Sequence, residues 1–501
     1  MEISENEENV VGEIVGSPPP SLRKAYIKIY RGKDVEPLEF LVSSINSNIR
    51  VVLRVDDITP VNPFRTPGAI DIAEKTGVPT TPFKGDKAFL MPGVYTLVSA
   101  DVIDSYKILN NGKIRPLGRS KPPIPGSRVY RADTKIISII TGKPKYPIRI
   151  GHLVGARNVP FSFDANILIR HVLIAGNPGT GKSFFRGILM EELYDLGVRQ
   201  VNFDPLDEYY YTVADIGGVN LVVGKDYKPR LDYLSEGEFR SLIEAHIPTD
   251  FQRAIATEGF KRFAEESRRR EKFGFGPLDP KELIKYVSMA ASAMRASDET
   301  KMNVIERLKF FLDSLAIAGT GGVDLANLIE QKRLVNFVFR GLTETQITFA
   351  VASILKEILV LKKRGKIGNL LISTDEAHLL VPSGKSNPPS KSIIKRLMRY
   401  GRHYGIGILL ITQLPASLDR EVVSLPSLRI FFAISTDQIK GISYLFADLP
   451  QTILRDIPKL ERGTAIITGA KDLIRHSVCV KIRSDRRSRH GAPTPSLVDT
   501  K

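Results

Sequence analysis

The stretch "AGNPGTGKSFF", residues 175–185, decides the fold class. Gly176 to Ser183 fit the spacing G-x-x-x-x-G-K-[ST]. In that motif the glycines let the backbone curl until successive N–H groups converge on phosphate oxygens. Lys182 adds a point charge at the β- and γ-phosphates, and the Ser183 hydroxyl can ligate Mg²⁺. The expected cradle runs through Gly176, Asn177, Pro178, Gly179, Thr180, Gly181, Lys182, Ser183 and Phe184. An apolar run, "HVLIAG" (171–176), precedes it and a helical pattern, "KSFFRGILMEELYDLG" (182–197), follows it. Strand, loop and helix thus stand in the order the motif requires, and the helix dipole adds to phosphate binding. ATP and Mg²⁺ are the expected ligands.

Downstream, apolar runs alternate with helical segments: "VRQVNFD" (198–204), "RLVNFVFR" (333–340), "NLLISTD" (369–375), "IGILLIT" (406–412), "LRIFFAI" (428–434) and "GTAIITG" (463–469). Runs of this kind separated by helices indicate a mainly parallel sheet covered on both faces. The helix expected over 343–364 opens with "TETQ", where Thr343 and Gln346 can form a capping box. Between 232 and 320 no buried strand is evident, and the stretch reads as a helical subdomain inserted into the sheet domain.

The ends of these strands carry the chemistry. "LLISTDEAHLL" (370–380) delivers Asp375 and Glu376 at a strand's carboxyl end. Asp375 is placed to hold the Mg²⁺ shell and Glu376 to polarise an attacking water. "ITQ" ends the next strand, so Gln413 stands at the sheet edge where open α/β folds bind ligands, able to sense a γ-phosphate. Arg399 and Arg402 lie just before that strand. A guanidinium delivered to a γ-phosphate is worth ~10³–10⁵ in rate. An arginine too far from its own phosphate loop serves a neighbouring subunit's ATP instead. Asp204, ending "VNFD", is a candidate for the metal shell; Asp207 and Glu208 have either a site role or a role as caps of the next turn.

The remaining chain bounds the function class. The 501 residues carry 72 Lys+Arg against 55 Asp+Glu, a formal charge of +17. Such a surplus attracts polyanions, nucleic acid before acidic membrane. Basic and aromatic residues are not interleaved as a base-stacking platform requires, so contacts to phosphates are expected. The loop "VPSGKSNPPSKS" (381–392), with Lys385 and Lys391, directly follows the acid pair. A single cysteine, Cys479, excludes an internal disulfide and fits a reducing cytoplasm. No apolar run approaches the ~20 residues of a membrane span. Residues 1–9 are expected to be frayed. Short β-rich runs with Pro/Gly/Asn turns over 10–105 suggest a small β-barrel. The segment 106–146 reads as a linker, the sheet domain occupies 147–231 and 321–482, and 483–501 reads as a flexible tail.

Taken together, "IRIGHLVG…RHVLIAGNPGTGKS…VNFDPLDEYY…ISTDEAHLL…RYGRHYGIGILLITQLP…LERGTAIITG" resembles the HerA family of archaeal DNA translocases, in the HerA–FtsK branch of RecA-like P-loop ATPases. The resemblance implies a small N-terminal barrel, a RecA-like core with a helical insertion, and hexameric rings around double-stranded DNA. It implies that Lys182 and Ser183 bind ATP and Mg²⁺, that Asp375 completes the metal shell with Asp204 nearby, and that Glu376 is the catalytic base. Arg402 matches an arginine acting across the subunit interface, Arg170 one acting on its own subunit's ATP, and Gln413 the sensor. Pro178 and Leu414 depart from the family's usual residues. A DNA helicase or translocase working beside a NurA-type nuclease at DNA ends is the implied activity. A DNA-export ATPase of the same branch and a non-motor nucleotide-regulated module stand as alternatives. Stimulation of ATPase by duplex DNA separates the last from the other two.

Overall fold

The computed structural model describes residues 9–489 and 491, apart from 62–94, 110–113, 120, 135, 138–141, 143, 157–158, 385, 447–448, 450 and 470–475. Residues 1–8, Lys385 and most of the C-terminal tail therefore lie outside the described residues.

The first strands are β1 (Val10–Ile14), β2 (Lys24–Ile29), β3 (Phe40–Ser44), β4 (Ile49–Val61), β5 (Tyr95–Ile108), β6 (Ile114–Pro116) and β7 (Arg128–Arg131). They pair antiparallel in the order β2-β1-β7-β3-β4-β5-β6, and β2 also pairs with β5, closing a six-strand barrel with β6 appended. Alternation makes the barrel: Ala25, Ile27 and Ile29 of β2 are buried while the residues between them are less so. Part of the stretch expected as a linker belongs to this barrel. β7 is the strand between β1 and β3, and without it the cylinder is open. Its Pro- and Gly-rich approach masks a four-residue strand whose partners are 85 or more residues away.

The second sheet comprises β8 (Pro147–Leu153), β9 (Pro160–Asp164), β10 (Val172–Ala175), β11 (Arg199–Asp204), β12 (Val219–Val222), β13 (Leu334–Val338), β14 (Leu370–Thr374), β15 (Ile406–Thr412), β16 (Leu428–Phe431), β17 (Thr464–Gly469) and β18 (Val478–Ile482). Their order is β12-β13-β11-β14-β15-β10-β16-β17-β18-β8-β9. The first seven pair in parallel; the rest form an antiparallel wing. β13, β14 and β15 are buried at every residue, as strands covered on both faces must be.

Helices Glu236–Ile243, Asp250–Lys272, Leu283–Ala293 and Asp298–Ser314 fill the stretch expected as a helical insertion. Their apolar faces share one core with the sheet: Phe239, Phe260 and Phe311 belong to the same buried cluster as Phe203 and Phe337. Phe239 stacks on Phe260 with ring centroids 4.2 Å apart. These helices cap the sheet rather than enclosing a separate core. The capping box of helix Glu344–Lys363 forms as its sequence suggests: Gln346 N–H donates to Thr343 Oγ1 at 3.3 Å and Thr343 N–H to Gln346 Oε1 at 2.9 Å.

Candidate nucleotide site

The phosphate loop leaves the C-terminal end of β10, between β15 and β16. Asn177 N–H donates to Ala433 O at 2.7 Å, and Asn177 Oδ1 accepts from Ser435 N–H at 3.3 Å. Gly463 N–H donates to Thr180 O at 3.0 Å. The segments after β16 and before β17 thus hold the loop. Gly179 has φ +74°, with open space where a Cβ would point, and Gly181, the helix N-cap, has φ +112°. L side chains rarely adopt such angles, so the curl depends on glycine at these positions. The backbone then enters helix Lys182–Asp195. Pro178 and Gly179 are exposed at the tip of the loop, while Asn177, Thr180, Gly181, Ser183 and Phe184 are half-buried. Lys182 is buried, and its Nζ donates to Asn177 O at 2.8 Å. Burial pulls its ammonium below the usual range, opposed by the charges of Asp375, Glu376 and Glu208.

Because β10 and the acid-bearing β14 flank β15 in parallel, the ends of all three strands meet at one sheet edge. Asp375 follows β14 directly and is buried; burial pushes its carboxyl up to about 6 despite a hydrogen bond from Tyr209. Glu376 has φ 45°, a left-handed backbone uncommon for a residue with a Cβ. Gln413, just past β15, donates through Nε2 to Glu376 Oε1 at 2.6 Å. His378 Nδ1 lies 3.1 Å from Glu376 Oε2. The expected sensor and the expected base are therefore in direct contact. His378 went unassigned in the sequence, although "DEAH" contains it; its role depends on a turn that returns the side chain to Glu376.

Three of the expected residues stand in surroundings that the sequence did not indicate. Asp204 is at the same edge, but both its oxygens are engaged by backbone N–H groups, Oδ1 by Glu208 and Oδ2 by Tyr209, each at 2.9 Å. It is fully buried, and burial pushes it up to about 7. These two bonds make it the anchor of the turn that follows β11. Arg399 is committed to Glu421, with which it pairs directly. Arg170 precedes β10, and Arg402 lies in the turn Gly401–Tyr404 before β15, so both stand at the N-terminal edge of the sheet. The seven residues of β15 span about 20 Å. Arg170 thus stands at the opposite end of β10 from its own phosphate loop. Arg402 is exposed on that same far edge.

Asp207 pairs with Arg340, and Glu208 sits in the turn that Asp204 anchors. Part of the expected tail is docked: Arg487 meets Asp195 at 2.6 Å, Arg489 meets Asp215 at 2.8 Å, and the Arg486 guanidinium lies 5.5 Å from the centre of the Phe184 ring.

The residues fit a nucleotide with Mg²⁺. The glycine cradle is open at Gly179, and Glu376 Oε2 is buried without a hydrogen-bond donor. Among the described residues no group of three or more His, Cys, Asp and Glu could hold a metal unaided. Mg²⁺ takes one or two protein oxygens and completes its shell from phosphates and water.

A family model described as "Helicase HerA, central domain" matches residues 148–358. The DNA double-strand break repair helicase HerA of Sulfurisphaera tokodaii is 28% identical over 381 residues, 72% of this chain and 74% of its own. Over this central part the chain is similar to the HerA helicase family. Another relative, a probable helicase of Methanocaldococcus jannaschii, is 26% identical over 393 residues, 75% of this chain and 74% of its own. Among solved structures, VirB4 of Thermoanaerobacter pseudethanolicus superposes with a TM-score of 0.52 at 19% identity, covering 68% of this chain and 98% of VirB4. The plasmid coupling protein TrwB in complex with ADP and Mg²⁺ gives 0.50 at 15% identity, covering 71% and 94%. These two likenesses concern the fold. Among the described residues no helix is long and apolar enough to cross a membrane.

Proposed function

We propose that this chain is an ATP-driven motor on double-stranded DNA that works as a closed ring of copies, most simply a hexamer. One observation carries the reading. The phosphate loop, Asp375, Glu376 and Gln413 occupy one edge of the sheet, while the exposed Arg402 occupies the opposite edge. A copy with both halves of a site on opposite faces completes neither alone. Head-to-tail packing brings the two halves together, and such packing closes into rings.

In each completed site the loop N–H groups and Lys182 hold the phosphates, with Phe184 following the loop. Ser183 and Asp375 would hold Mg²⁺, which would supply neutralisation of the phosphate charge. Glu376 orients the attacking water once Gln413 releases it. Arg402 of the adjacent copy meets the charge that develops on the γ-phosphate. The surplus of +17 supplies phosphate contacts to DNA, so binding falls with salt at a slope of ~−0.9 per phosphate neutralised. Processing of DNA ends beside a NurA-type nuclease is the cellular setting that this reading favours.

The direct test is ATPase rate with and without duplex DNA, together with imaging of particles in ATP. The reading expects rings and a rate that rises with DNA. A flat rate on added duplex, from particles that stay monomeric, overturns it.

A further inference from the structure

Beneath the nucleotide pocket lies a buried polar scaffold. Ser373, Asn202, Asn336 and Asn220 occupy one register on the neighbouring strands β14, β11, β13 and β12. Ser373 Oγ donates to Asn202 Oδ1 at 2.8 Å, Asn202 Nδ2 to Asn336 Oδ1 at 2.7 Å, and Asn336 Nδ2 to Asn220 Oδ1 at 2.8 Å. At the other end the fully buried Arg186, one turn past Ser183, donates to Ser373 Oγ at 2.5 Å. A one-residue slip of any of these strands breaks the ladder and turns its polar side chains to the wrong face. The ladder therefore fixes β11 against β14, and with them the two acids that follow, Asp204 and Asp375.

Asp204 then does something specific. By accepting the N–H groups of Glu208 and Tyr209 it closes the turn and sets the Tyr209 ring, which is buried, below the sheet edge. The Tyr209 hydroxyl donates to Asp375 Oδ2 at 2.7 Å, while Asp375 Oδ1 accepts from Glu376 N–H at 2.8 Å. Each oxygen of Asp375 thus has one protein donor. A carboxylate oxygen has two acceptor sites, so each keeps one for a further ligand, and the carboxylate plane cannot rotate.

We propose that Tyr209 is a positioning residue for Mg²⁺, aiming the Asp375 carboxylate through its hydroxyl, and that Asp204 is the anchor that places Tyr209. This rests on the reading of Asp375 as the metal-ligating acid. Removing an outer partner of a metal ligand costs 10–100-fold in metal affinity. If the ring alone mattered, phenylalanine would serve equally.

The test uses the full chain with Tyr209→Phe, which removes one oxygen and keeps the ring. Mn²⁺ binding to ADP-loaded protein is followed by electron paramagnetic resonance, and ATPase rate is measured against Mg²⁺ concentration. Melting temperature and ADP binding in EDTA are measured alongside. The expected result is roughly tenfold weaker Mn²⁺ binding and a matching rise in half-saturating Mg²⁺. The maximal rate should recover at high Mg²⁺, with melting and metal-free ADP binding unchanged. Asp204→Asn, which keeps one acceptor for the turn, should shift Mn²⁺ binding in the same direction and serves if Tyr209→Phe does not fold. Unchanged Mn²⁺ binding in a folded Tyr209→Phe protein, beside a Mg²⁺-dependent wild type, overturns this proposal alone. A wild type that hydrolyses ATP without any divalent cation overturns the assignment of Asp375, and the proposal with it.

Discussion

The two edges of the central sheet differ in how they are built. The C-terminal edge is dense and internally bonded: Lys182 is tied to Asn177, Glu376 to Gln413, and Asp375 to Tyr209. The N-terminal edge presents Arg402 outward. Nucleotide chemistry needs pre-set geometry at the phosphates and a charge that arrives only when turnover is due. The fold separates these needs by the length of a strand. On the proposed reading, what looks like an incomplete active site in one copy is half of an interface.

The comparison can be broken first at the exposed edge. Arg402→Ala should lower DNA-stimulated ATPase by roughly 10³-fold or more, since it removes a transition-state contact. Melting temperature and ATP binding should hold, because the side chain is exposed. Steady-state kinetics beside a melting curve distinguish this from misfolding. At the dense edge, Lys182→Ala should cost about 10²-fold in rate, comparable to losing one preorganised charge-stabilising donor, and should also weaken ATP binding. A nucleotide-binding titration separates the two variants, because only Lys182→Ala loses affinity.

The smallest effect concerns pH and the arginine edge. His171, beside Arg170, is buried and accepts Ile408 N–H through Nδ1 at 3.0 Å. Burial pulls its imidazole down to about 4, against a raising contact with the Met398 backbone. The unfolded chain protonates this residue near its ordinary 6.5, so the neutral ring stabilises the fold above that pH. The stabilisation is lost as pH falls from about 6.5 to about 4, and amounts to at most about 3 kcal/mol. His171→Gln, which keeps an acceptor for Ile408, should flatten the difference in melting temperature between pH 7 and pH 5. An unchanged pH slope would show that the edge is held by other groups.

Much of the site was legible in the sequence because its parts are local. The phosphate loop is eight consecutive residues with fixed flanks, and Asp375-Glu376 and Gln413 each end an apolar run. Position within the sheet was less legible. Arg170 lies only twelve residues before Lys182, yet β10 carries the two to opposite edges. Asp204 reads as a metal ligand because it ends a strand beside the others; that its oxygens also anchor a turn five residues on leaves no mark in the sequence. His378, β7 and the docked Arg487 and Arg489 depend on pairings across the turn, the barrel and the tail, which leave no periodic trace. The helices of 232–320 were recognisable as helices, but whether they own a core depends on what Phe239 and Phe260 pack against.

The central claim is that each nucleotide site is shared between copies. Arg402→Ala protein has intact phosphate loops, and Lys182→Ala protein has intact arginines. In rings formed from an equal mixture, about one site in four pairs a sound loop with a sound arginine. The account predicts that mixing two inactive proteins restores DNA-stimulated ATP hydrolysis to a measurable fraction of the wild-type rate, highest near equal proportions. Mixtures that stay inactive at every ratio, while imaging shows mixed rings, would contradict it.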